Sequence, residues 1–186
     1  MKIKICGLSR REDVAYVNQT RPDWCGFVID CPKSRRNVSG EQAAALRAEL
    51  APGIVPVGVF VDRPVDQVAG LLLDGTIAVA QLHTGELQGD LAVSRVTAPG
   101  CVLWRAFRVR SREDLVSAAA SSADLVVLDN GAGTGQVFDW SLLKGFPRPY
   151  LLAGGLTPDN LPQAAALGPF GVDLSSGVET DGKKDE

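Results

Sequence analysis

The stretch YLLAGGLTPDNLPQAAALGPFGVDLSSG, residues 150–177, holds one complete strand, helix, strand succession. Residues 150–153 form a short apolar run, Gly154 and Gly155 make a small-residue turn, and Thr157 followed by Pro158 is a helix-start signal. A helix is expected over 160–167, and Gly171 opens a second apolar run that ends in Ser175, Ser176 and Gly177. Both runs lack alternating polar residues, as expected of strands covered on both faces, which points to a parallel sheet.

The same alternation extends to the N-terminus. Further strand-like runs start near Lys2, Trp24, Ile54, Ile77, Val102 and Leu125, making eight in all, most of them about 21 to 25 residues apart. Between them lie seven helix candidates, at 11–19, 40–50, 65–73, 88–97, 113–121, 140–144 and 160–167. Ser9 with Glu12, Ser39 with Gln42, and Ser111 with Asp114 supply start signals for three of them. A strand of about 5 residues, a helix of about 10 and two loops of about 4 account for the spacing.

Eight such units predict an α/β fold, a minimal (β/α)8 TIM barrel, rather than an open doubly wound sheet. One domain is expected over 1–186, with a polar C-terminal tail at 180–186. The eighth helix is expected to be missing or a stub, which predicts exposed apolar surface on the first and last strands.

Composition narrows the function classes. Of the 186 residues 45% are hydrophobic and 22% charged, enough for a sizeable core, and the net charge of −3 with no basic block gives no footprint for nucleic acid. No apolar run approaches a membrane span and no signal peptide opens the chain, so a cytoplasmic protein is expected. Four scattered cysteines and one histidine, without a Cys-x-x-Cys pair, argue against a metal centre.

In a barrel of this kind chemistry sits where strands run into helices. Those tips carry Cys6-Gly7, the loop Lys33-Ser34-Arg35-Arg36, Asp62, Gln81 with His83, Arg105 and Arg108, Asp129, Gly154-Gly155 and Ser175-Ser176-Gly177. The last two segments read as backbone nests for a phosphate, or as tight turns. Asp129 closes an apolar strand, where burial can raise a carboxyl into the range of a general acid; an N-cap or ion-pair role is the alternative. Cys6 precedes a helix start whose dipole would favour thiolate, a base or nucleophile, unless it is a small buried hydrophobe.

Arg36 can pin a carboxylate with a bidentate fork, whereas Lys33 and Arg35 are expected to face solvent. His83 is read as lining the mouth, with a backbone carbonyl as its expected partner. The glycine run 131–135 after Asp129 has the wrong spacing and position for a dinucleotide fingerprint and is expected to be a loop that moves over a substrate, or a plain surface loop.

Taken in order, the segments KICGL at 4–8, GFV at 26–28 leading to PKSRR at 32–36, VGVFV at 57–61, QLH at 81–83, Leu128-Asp129, FDW at 138–140, LAGGL at 152–156 and GVDLSSGVE at 171–179 resemble the phosphoribosylanthranilate isomerase family. The resemblance implies a cofactor-free Amadori rearrangement of a sugar phosphate carrying an anthranilate group. It implies Asp129 as general acid, Cys6 as general base, Arg36 on the anthranilate carboxylate, and the phosphate on amides of Gly155, Ser175 and Ser176, with Gln81, His83 and Gly154 lining the substrate. Opposed roles would require the carboxyl pushed upward and the thiol downward. Three features depart from the pattern: Thr84 after His83, Ala132 in the glycine run, and the absent last helix.

The resemblance leaves competitors. A non-catalytic sugar-phosphate binder would keep the nest without the acid and base. A bifunctional isomerase built from half-barrel repeats would show two nests, and ribulose-phosphate epimerases would want metal-binding histidines. The oligomeric state is not legible.

Overall fold

The computed structural model describes residues 1–83, 100–130 and 137–185. Its strands are β1 (Lys2–Cys6), β2 (Trp24–Ile29), β3 (Asn37–Val38), β4 (Val55–Val61), β5 (Val79–His83), β6 (Val102–Arg108), β7 (Leu125–Asp129), β8 (Tyr150–Ala153), β9 (Gly171–Leu174), β10 (Glu179–Thr180) and β11 (Lys183–Lys184). Eight of them, all but β3, β10 and β11, pair in parallel and close on themselves, because β1 pairs with β9 on one side and β2 on the other. The fold is the expected (β/α)8 barrel, with β3 added as a short ninth strand beside β2.

Period-two alternation sorts the strand residues into two cores. Val57, Val79, Trp104, Ala106, Leu125, Val127, Leu151 and Ala153 point inward and fill the barrel. Trp24 packs edge-on against Trp104 at 5.1 Å between ring centroids. The alternate residues, among them Phe27, Phe60, Val126, Leu128 and Leu152, face outward under the helices. This double burial explains why the strands read as unbroken apolar runs.

The helices are α1 (Arg11–Thr20), α2 (Gly40–Ala48), α3 (Val65–Leu73), α4 (Arg112–Ala119) and α5 (Leu161–Ala166), with a 3-10 turn at Trp140–Leu143. The helix expected at 88–97, Thr84 and the glycine run 131–135 lie outside the described residues.

Local chemistry fixes where the helices begin. Ser39 and Gln42 exchange hydrogen bonds at the start of α2 as expected. At α1 the cap is Arg10 rather than Ser9, because Asp13 accepts from the amides of both Ser9 and Arg10 and pairs with the Arg10 guanidinium. Asp114 does the same for Arg110 and Ser111 ahead of α4. The helix expected over 160–167 spans Leu161–Ala166; Asn160 stands at its N-cap position, with its side chain turned back to accept from the Thr157 amide.

Beyond β9 the described chain contains no α-helix; it continues through a 3-10 turn at Ser176–Val178 into the antiparallel β10–β11 hairpin. The expected polar tail thus begins in ordered backbone. At the seam between β1 and β9, Ile3 is 37% exposed and Phe170, just ahead of β9, is 45% exposed, while Val172 of β9 is fully buried.

Candidate active site

A cavity of about 780 Å³ opens at the C-terminal ends of the barrel strands, lined by Cys6, Arg36, Gln81, His83, Asp129, Gly154, Gly155, Ser175 and Ser176. Cys6, the loop 33–36, Gln81, His83, Asp129 and the two small-residue turns therefore converge on one site, whereas Asp62, Arg105 and Arg108 do not line it: Arg105 stacks over the Phe107 ring and Arg108 donates to the Asn130 carbonyl. Cys6 ends β1, Arg36 precedes β3, Gln81 and His83 belong to β5, Asp129 ends β7, and the small-residue turns follow β8 and β9.

The two turns are built for close approach. Gly154 and Gly155 both have left-handed φ, +87° and +67°, and a β-carbon on Gly154 would run into the Asp129 carboxylate. Asn160 ties the turn, accepting from the Thr157 amide at 2.9 Å and donating to the Gly155 carbonyl at 2.8 Å. Gly177 sits so close to the Leu156 carbonyl that a side chain there would overlap it. Ser175 donates its hydroxyl to the Cys6 carbonyl at 3.0 Å, joining the last turn to the first strand.

Arg36 already holds a carboxylate. Its Nε donates to Glu179 Oε1 at 2.6 Å and its Nη2 to Oε2 at 2.7 Å. Lys184 adds a third bond to Glu179 at 2.6 Å, and Arg35, expected to face solvent, pairs with the same carboxylate at 2.7 Å. Burial works upward on the Glu179 carboxyl, but the hydrogen bonds from Arg36 and Lys184 outweigh it and hold it down at about 2. Gly7, at φ +85°, leaves room for the arginine stem, since a β-carbon there would collide with Arg36 Cδ.

Beneath Cys6 lies a buried charge network that the strand-tip reading overlooked. Lys4, fully buried inside the barrel, donates to Asp173 Oδ2 at 2.7 Å and to Gln81 Oε1 at 2.9 Å. An ammonium only donates, so Gln81 must turn its oxygen to Lys4 and its amide to His83. Gln81 Nε2 lies 3.0 Å from His83 Nε2, which makes that ring nitrogen the acceptor and puts the imidazole proton on Nδ1. Burial lowers the His83 pKa, with Asp129 acting against it. The expected backbone-carbonyl partner is thus replaced by a side-chain amide.

The thiol also departs from expectation. Burial pushes Cys6 up, Lys4 opposes this, and Asp173 adds to it, with a net upward shift. The helix-dipole argument fails because α1 starts only at Arg11, five residues beyond the thiol, and the amides just ahead of it, of Ser9 and Arg10, are turned to Asp13. One signal for the overlooked residues was present in the sequence: Lys4 lies two positions before Cys6 on a strand, hence on the same face. Glu179, Asp173 and Lys184 carried no comparable signal, because their placement depends on barrel closure and the hairpin.

Among the described residues, no group of three or more His, Cys, Asp or Glu is placed to hold a metal ion, and no helix is long and apolar enough to cross a membrane.

Comparison with known proteins agrees with this geometry. Residues 3–186 match the family model for N-(5'phosphoribosyl)anthranilate (PRA) isomerase. The chain is 43% identical over 192 residues to the N-(5'-phosphoribosyl)anthranilate isomerase of Endomicrobium trichonymphae, covering 99% of this chain and 92% of that one. Among solved structures, the phosphoribosyl anthranilate isomerase of Thermus thermophilus superposes with a TM-score of 0.87 at 33% identity, over 100% of this chain and 92% of that one. A phosphoribosyl anthranilate isomerase in complex with reduced 1-(o-carboxyphenylamino)-1-deoxyribulose 5-phosphate superposes with a TM-score of 0.84 at 32% identity, over the same shares.

Proposed function

The chain belongs to the N-(5'-phosphoribosyl)anthranilate isomerase family, an isomerase of tryptophan biosynthesis, and from that premise we propose an Amadori rearrangement driven by Asp129 and Cys6. The observation that carries this reading is the convergence of a thiol, a carboxyl, a cationic fork and two glycine and serine turns on one cavity.

Asp129 donates a proton to the furanose ring oxygen as the C1′–O4′ bond breaks, leaving a C1′ Schiff base with the anthranilate nitrogen. Cys6, as thiolate, then takes the C2′ proton, and the electron pair of that bond forms the C1′–C2′ double bond of an enolamine. Loss of the C2′ hydroxyl proton and protonation at C1′ complete the aminoketose. Each transfer needs a group within hydrogen-bond reach and a site that excludes bulk water, both of which a barrel mouth can supply.

The substrate's phosphate lies against the amides of Gly155, Ser175 and Ser176, with Gly154 bringing the backbone close. Its anthranilate carboxylate is met by Arg36, whose Nη1 is the donor beyond the two committed to Glu179. His83, held neutral and oriented through Gln81, lines the reacting sugar. The barrel, residues 1–186, acts as one cytoplasmic domain on this small phosphorylated substrate.

The test is conversion of freshly prepared phosphoribosylanthranilate by the purified chain, followed by loss of substrate fluorescence, with the product identified by NMR. Stoichiometric formation of the 1-amino-2-ketose phosphate supports the reading. A folded chain that binds the product analogue without turnover would replace it with a sugar-phosphate binder.

A further inference from the structure

Lys4 is a charged side chain wholly enclosed in the barrel, and the proposed chemistry does not use it. Burying an ammonium is costly unless every donor finds a partner. Two of its partners are Asp173 Oδ2 at 2.7 Å and Gln81 Oε1 at 2.9 Å. The same ammonium interacts with the Cys6 thiol. Lys4 and Cys6 sit two residues apart on the same face of β1, and a β-carbon built on Gly26 of β2 would lie 2.8 Å from Cys6 Sγ and 3.1 Å from Lys4 Cε. Sulfur and lysine stem thus flank one point that only a glycine leaves open.

We infer that Lys4 is a positioning residue for the isomerisation, its ammonium clamped by Asp173 and Gln81 so that the remaining N–H faces the Cys6 sulfur and stabilises the thiolate that forms when Cys6 gives up its proton, against the burial that favours the thiol. The inference rests on the reading of Cys6 as the base.

The surroundings of the thiol fit this assignment. Lys184 of β11 and Arg36 also act on Cys6 as cations, while Asp173 of β9 opposes them and Cys25 of β2 lies nearby as a second thiol. His83 and Asp129 act on the same network through Asp173. Of the cations, Lys4 is the one held on the strand that carries the thiol, and its distance to the sulfur does not depend on the hairpin or on the loop before β3. Burial lowers the Lys4 pKa, but Asp173 and Cys6 outweigh it, so the group stays charged at neutral pH.

The experiment labels Cys6 with iodoacetamide across pH and reads that cysteine alone by peptide mass spectrometry. It compares the intact chain, Lys4→Met, and Lys4→Met combined with Asp173→Asn, which removes the stranded carboxylate and guards against misfolding. Folding is verified by circular dichroism. Loss of the ammonium is expected to slow labelling at neutral pH about tenfold in both variants, with the profile displaced to the alkaline side. The acidic limb of kcat/KM should move with it. Unchanged labelling in the folded double variant overturns the inference. The labelling does not depend on turnover, so it stands apart from the role of Cys6 itself, which fails separately if Cys6→Ser retains full activity.

Discussion

Arg36 and Glu179, 143 residues apart in sequence, meet through two parallel hydrogen bonds of 2.6 and 2.7 Å, so the Nε and Nη2 edge of the arginine is held by a carboxylate of the chain itself and Nη1 is left to the substrate's carboxylate. The C-terminal hairpin and the arginine loop are thereby one unit. Glu179→Gln should loosen the orientation of Arg36 and leave Lys184 buried without its counter-charge. KM is expected to rise about tenfold, the equivalent of ~1.4 kcal/mol of binding, while kcat falls less. Steady-state kinetics on the variant checks the split.

The same carboxylate makes a pH prediction. Glu179 is held at about 2 against an ordinary 4.5, so its contribution to stability is fully present above 4.5 and is lost as pH falls toward about 2. Melting temperatures taken from neutral pH downward should show a steep acid decline in the intact chain. In Glu179→Gln that component should be missing, and the two curves should converge at low pH.

Gly154→Ala places a methyl group against the Asp129 carboxylate and the Asn130 amide, at a backbone φ of +87° that L-residues rarely adopt. A stability loss of about 1–3 kcal/mol is expected, together with a drop in kcat/KM of about tenfold or more from displacement of the carboxyl. Chemical denaturation and kinetics on the same preparation measure both.

Asp13 serves the fold rather than the cavity. Its carboxylate accepts from the Ser9 amide at 2.8 Å and the Arg10 amide at 3.0 Å, and Arg10 in turn donates to the Lys184 carbonyl. Asp13→Ala should cost about 1–2 kcal/mol, because it removes the carboxylate that caps the start of α1 and holds the Arg10 guanidinium. Turnover of the fraction that remains folded should be unchanged, which activity normalised to native protein will test.

The barrel was legible because each strand is buried on both faces and each helix is amphipathic, so periodicity alone marks the alternation. Residues at the strand tips could be nominated from the topology, and Cys6, Arg36, Gln81, His83, Asp129 and the two turns do share one cavity. What was not legible depends on contacts made across the closed barrel. Lys4 meets Asp173 only because β1 pairs with β9, and Glu179 meets Arg36 only because the chain after β9 folds back as a hairpin. The upward push on Cys6 likewise comes from its enclosure, which a dipole argument along one helix does not contain. Start signals fared similarly. Ser39 caps its helix through local bonds alone, whereas Ser9 yields its place to Arg10 because Asp13 lies three residues further on.

The most direct measurement is turnover of phosphoribosylanthranilate, followed by its fluorescence, for the intact chain, Cys6→Ser and Asp129→Asn, each shown to be folded. The account predicts that either substitution lowers kcat by about 10²–10⁴-fold while the product analogue still binds. Turnover near the intact level in either folded variant would contradict the assignment of that residue to the acid/base pair.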